Sequence, residues 1–75
     1  MYITDFTRMS NDEVRVVHRR ALRLSLNSNH KRLTQYRGQK ISNPVVFELL
    51  KIERTNDIQV MLAAKELNSR GAVIA

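Results

Sequence analysis

Arg15, Arg19 and Arg23 recur every four residues, and Arg20 adds a fourth guanidinium beside them. Lys31, Arg32, Arg37 and Lys40 complete a stretch, RVVHRRALRLSLNSNHKRLTQYRGQK over residues 15–40, that contains eight Lys or Arg and no acid. Arg is the side chain best suited to bidentate phosphate contact and to stacking on flat rings. Ser25, Asn27, Ser28, Asn29, Thr34 and Gln35 are interspersed and can donate to phosphate oxygens. Tyr36 beside Arg37 could stack on a base; filling the core with its hydroxyl at the surface is the competing role. The chemistry that these residues suggest is recognition of a polyanion, with Arg15, Arg19, Arg20, Arg23, Lys31, Arg32, Arg37 and Lys40 as the candidate nucleic-acid-binding residues.

A run of like charge can also be plain solvated surface. Two features weigh against that reading. Residues 1–40 carry nine Lys/Arg against three acids, which is the whole net charge of +6, whereas residues 41–75 carry four of each. Like charges at four-residue spacing also destabilise a helix, so the run carries a cost that a mixed surface would avoid. Such asymmetry points to an acidic partner, either DNA or RNA or an acidic protein surface.

Catalytic constellations are not apparent. There is no Cys, and neither His18 nor His30 has an acid nearby in sequence to orient it. Both histidines lie among arginines, which disfavours their protonated form and repels a metal ion. Structural positions on a helix or loop explain them adequately. Asp12, Glu13 and Asp57 are accounted for at helix starts, and Glu48, Glu53 and Glu66 read as solvated helix positions. Gly38 and Gly71 are isolated, so no glycine-rich loop cradles a phosphate. The expectation is a binding protein with no catalytic residues, metal or cofactor.

The elements that would position the basic run are helical. Ser10 followed by Glu13 is a capping box, Met9 and Val14 form a hydrophobic staple, and Asp12 and Glu13 occupy the first turn, where the helix dipole favours them. A helix is therefore expected from about residue 11, with Val14, Val17, Ala21 and Leu24 as its apolar stripe and Arg15, Arg19 and Arg23 on another face. Val16 and Leu26 fall outside that stripe and suit a second contact. Asn27-Ser28-Asn29 is expected to end or kink the helix. HKRLTQYRG then reads as a short second helix capped by Asn29 and closed at Gly38, or as a basic loop. Asn43-Pro44 starts the next segment, VVFELLKIER; its β-branched content suits a strand, but the Asn-Pro start and the Leu49-Leu50-Lys51 stretch favour a helix, which is the expectation taken. TNDIQ opens a last one, capped by Asn56, with Ile58, Met61, Leu62 or Ala64, and Leu67 as its stripe and Gly71 as its left-handed cap. MYITDF is a brief strand or an arm.

The segment LAAKELNSRGAVIA resembles the first helix and turn of a helix-turn-helix motif, with Ala64, Asn68 and Ile74 at the small, turn and apolar positions. Ser69 departs from the pattern, and no recognition helix follows to enter a major groove. A C-terminal packing helix with a glycine cap accounts for the same residues.

The expected architecture is all-α, one domain over residues 1–75, as a compact bundle of three or four short helices. The basic half, 1–40, binds and the neutral half, 41–75, packs. Seventy-five residues without disulfides make a marginal core, so self-association as a homodimer is plausible. No apolar stretch is long enough to span a bilayer, and MYITDFTRMSNDE lacks the basic start and apolar core of a secretory signal; the expected location is the cytoplasm. The function expected is that of a small basic regulator that binds nucleic acid mainly through phosphates. The alternative is an adaptor or inhibitor docked on an acidic protein, with Val16, Leu26 or the AVIA tail as its apolar anchor.

Overall fold

The computed structural model describes residues 5–73 and contains two long helices, α1 (Asn11–Gln35) and α2 (Pro44–Ser69), joined by the segment 36–43. The described residues are all-helical in their secondary structure, as expected, but they form a two-helix hairpin, not a bundle of three or four helices. The expected strand or arm at MYITDF falls partly on residues 1–4, outside the described residues; Phe6 is buried.

The helix ends are set by local chemistry. The Ser10 side chain accepts from the Glu13 N–H at 3.2 Å, and Glu13 Oε1 accepts from the Ser10 N–H at 3.2 Å, a reciprocal capping box. Asn43 caps α2 by accepting from the Val45 N–H at 2.9 Å, with Pro44 at the first helical position. At the far end, Ala72 N–H reaches Leu67 O at 2.9 Å and Gly71 N–H reaches Asn68 O at 3.0 Å, while Gly71 takes a φ of +69°. This is the Schellman arrangement, which the glycine permits.

Neither expected internal break exists. α1 continues unbroken through Asn27-Ser28-Asn29, so the separate helix capped by Asn29 is instead the last part of α1. α2 likewise runs through Thr55-Asn56, and Asn56, expected to cap, donates from its side chain to Ile52 O at 2.8 Å within the helix. Asn and Ser favour caps because they compete for backbone groups; here, tertiary partners occupy Ser25 and Asn29 instead.

The helices meet along a seam with heptad spacing. On α1 the buried positions are Val14, Ala21, Ser25 and Ser28; on α2 they are Val46, Leu49, Glu53, Ala63 and Leu67. Steps of three, four, seven and, between Glu53 and Ala63, ten residues keep one edge of each helix facing the other. The apolar core lies at the open end, where Phe6, Val14, Ala63 and Leu67 pack together with Met9, Val17 and Ala72 against them. Two assigned stripes need correction. Leu24 lies exposed, as do Ile58 and Met61, and Ala63 takes the interior position on α2.

Arg70 fastens the open end. Its guanidinium donates to Phe6 O at 2.5 Å, Met9 O at 2.7 Å and Asn11 Oδ1 at 3.1 Å, and pairs with Glu66 at 2.9 Å. One side chain thus ties the end of α2 to the segment that leads into α1.

Candidate nucleic-acid interface

The eight candidate cations divide into two that hold the fold together and six that do not. Arg15 donates through Nε to Val73 O at 2.8 Å and through Nη1 to Asp12 at 2.8 Å. Arg32 crosses to α2, where its Nε lies 2.7 Å from Glu53 Oε2 and its Nη2 lies 3.3 Å from Oε1. Asn29 adds a third hydrogen bond to the same carboxylate at 2.9 Å. Glu53 is buried, at 8% exposure, so its expected place as a solvated helix residue is incorrect. The hydrogen bond from Arg32 holds its carboxyl below the ordinary value, with Asn29 and the Arg32 charge acting in the same sense against burial. The same bond raises Arg32.

Arg19, Arg20, Arg23, Lys31, Arg37 and Lys40 are all exposed, and among the described residues no hydrogen bond or ion pair engages their side chains. Arg19, Arg20 and Arg23 line one shallow surface depression with Val16. The helix geometry explains the grouping. Positions 16, 19, 20 and 23 are spaced by three and four, and they lie on the side of α1 turned away from the seam at 14, 21, 25 and 28. Lys31 returns to the side of Arg20 three turns further on, roughly 16 Å along the axis. Arg37 and Lys40 sit in the connecting segment beyond the helix end, past the C-cap residue Tyr36.

The arrangement offers three guanidiniums on adjacent turns of a rigid helix and a second, looser cationic group at the loop end. The acids at the start of the same helix are engaged elsewhere, Asp12 with Arg15 and Glu13 in the capping box. Of the proposed neutral donors, Ser25 and Ser28 are buried. Ser25 donates to Asp57 across the seam, Asn29 is committed to Glu53 and Thr34 donates to His30 O at 2.8 Å. They are therefore structural. Asn27 and Gln35 remain exposed.

Among the described residues no cluster of His, Cys, Asp and Glu could hold a metal ion, and no helix is long and apolar enough to cross a membrane. The segment resembling a helix-turn-helix forms the end of α2 and its Schellman turn; Ile74 lies outside the described residues. Comparison with protein families, curated proteins and solved structures finds no match to this chain.

Proposed function

We propose that this protein is a small basic regulator that binds nucleic acid through the outward face of α1, chiefly by phosphate contact. The observation that carries this reading is the Arg19–Arg20–Arg23 cluster: three exposed guanidiniums, spaced for one face, with no acid engaging them. The contrast within the same helix supports it. Where the fold needs an arginine, as at 15 and 32, it supplies a partner within 2.8 Å. At 19, 20 and 23 it supplies none, so their donors are available to phosphate oxygens. Lys31, Arg37 and Lys40 extend the cationic surface along the hairpin.

The test is a fluorescence titration of the purified chain against labelled duplex DNA and single-stranded RNA at several salt concentrations. If Arg19, Arg20 and Arg23 each neutralise one phosphate of duplex DNA, log K falls with log salt at a slope of roughly −3 per chain. Arg19→Glu with Arg23→Glu is expected to abolish binding and leave the circular dichroism unchanged, because neither side chain touches the seam. Undiminished binding by that folded variant overturns the site assignment. No binding of either nucleic acid at low salt overturns the function and turns the face toward an acidic protein.

A further inference from the structure

We infer that the broad apolar face of the hairpin is a homodimer interface, and that two copies stack face to face as a four-helix bundle. The first observation is where the large apolar side chains are. Leu22, Leu26 and Leu33 of α1 and Phe47, Ile58 and Met61 of α2 are all exposed, Leu26 at 58% and Met61 at 69%, while the middle of the seam buries Ser25, Ser28 and Glu53. A chain that buries serine and exposes leucine has its main apolar surface outside the hairpin.

The second observation is that the two stripes share one face. Positions 22, 26, 29 and 33 form a single row along one flank of α1. Asn29, a member of that row, donates to Glu53, and Ser25 next to the row donates to Asp57. Glu53 and Asp57 in turn line an open groove on α2 together with Phe47, Ile58 and Met61. The helices run antiparallel, so the flank of α1 that bears Leu22, Leu26 and Leu33 and the flank of α2 that bears this groove lie side by side.

Shape and area identify the occupant. The hairpin measures 42 × 25 × 14 Å, so it is a single layer of helices, whereas stable domains enclose a core between two layers. A stable interface needs about 800 Å² from each partner, and a face of this length and width can supply it. A second copy related by a two-fold axis presents the same apolar face and so closes the core without any other component. The polar groups at the seam permit it: among the described residues no buried side-chain N or O lacks a hydrogen-bond partner. Lys51 and Arg54, which also line the groove, have stems long enough to carry their charges to its margin. Of the Arg19–Arg20–Arg23 cluster, Arg20 lies on the side of α1 away from this face, while Arg19 and Arg23, three residues before Leu22 and Leu26, border it with side chains long enough to carry their charges past its margin. The inference does not depend on nucleic-acid binding.

Sedimentation equilibrium of the full chain, without nucleic acid, tests it first. The expected result is twice the chain mass, with a melting temperature that rises from about 1 to about 100 µM protein, as linked folding and association require. A monomer throughout that range, with a concentration-independent melting temperature, overturns the proposal. The face is then assigned by thiol labelling, which the absence of native Cys makes clean. Met61→Cys is expected to label roughly tenfold or more slowly than Arg20→Cys at concentrations far above the dissociation constant. Equal rates at the two positions, in a chain that is dimeric, place the interface elsewhere and overturn the assignment.

Discussion

Glu53 occupies a position in the helix seam where heptad packing would ordinarily place an apolar side chain, and its carboxylate is held by Arg32 at 2.7 Å and Asn29 at 2.9 Å. A buried ion pair of this kind adds little net stability, because desolvation offsets much of the attraction. Removing one partner is a different matter. Arg32→Ala leaves the buried carboxylate with only Asn29, and denaturant unfolding is expected to show a loss of about 1–3 kcal/mol, less than for a fully buried pair because a quarter of the Arg32 side chain is exposed. Replacing both residues, Arg32→Met with Glu53→Leu, is expected to restore stability to within about 1 kcal/mol of the natural chain or above it. The pair also predicts a pH dependence. The Glu53 carboxyl titrates below its ordinary 4.5 in the folded chain, so the unfolded chain binds a proton first as pH falls. The stabilisation is complete above the unfolded value and is lost as pH drops through the folded one. Chemical denaturation between about pH 5 and 3 is expected to show a shallower decline for Glu53→Gln than for the natural chain. A parallel decline in the two proteins would exclude this carboxylate as the source.

At the scale of the helices, the sequence displays its ends plainly and its continuity poorly. Ser10 with Glu13, Asn43 with Pro44, and Gly71 are local signals, each satisfied by atoms within a few residues, so each is legible without a fold. Ser10→Ala is expected to cost about 1 kcal/mol in thermal or chemical unfolding, and Gly71→Ala about 1–2 kcal/mol, because a φ of +69° burdens any residue with a Cβ. The middle of each helix reads wrongly for the complementary reason. Asn29 looks like a cap until Glu53, twenty-four positions away, is known to accept from it. Glu53 looks solvated until Arg32 is placed opposite. The assigned apolar stripes fail at Leu24, Ile58 and Met61 because the seam they were meant to follow is partly polar, and the strongest hydrophobic signal belongs to an outer face. Among the candidate cations the sequence shows the cluster but not its division: Asp12 lies within reach of Arg15 in sequence, but the Val73 carbonyl and Glu53, which tie Arg15 and Arg32 to the other end of the chain and to α2, are remote in sequence. Arg70, which joins both ends of the chain through three acceptors besides Glu66, gives no sequence signal at all.

For the whole molecule, the separation of charge from apolar surface sets opposite responses to salt. The chain carries a net charge of +6, all of it arising in residues 1–40, while the proposed dimer face is made mainly of leucine, isoleucine, phenylalanine and methionine. Two such chains repel each other at low ionic strength. Raising the salt from about 0.01 M to 0.15 M shortens the screening length from roughly 30 Å to 8 Å, which removes most repulsion between exposed cations on different copies and leaves apolar burial intact. Dimerisation is therefore expected to tighten with salt. Phosphate binding runs the other way, because each phosphate contact releases a counterion. Arg19→Glu separates the two effects in one protein. It converts the like-charge contacts at four-residue spacing with Arg15 and Arg23 into attractive ones, each worth a few tenths of a kcal/mol on a helix surface, and it removes one phosphate contact. In low salt the variant is expected to be somewhat more stable and to dimerise more tightly than the natural chain, while binding duplex DNA more weakly and with a salt slope reduced by about 1. The stability difference should shrink at about 1 M salt, where the screening length is near 3 Å. Sedimentation and titration on the same samples read the three quantities together. A variant that binds nucleic acid as tightly as the natural chain and dissociates with the same salt dependence would show that Arg19 contributes to neither surface. Opposed shifts would show a chain whose cationic face is kept at a cost to its own stability and assembly, as is expected of residues that serve a binding task.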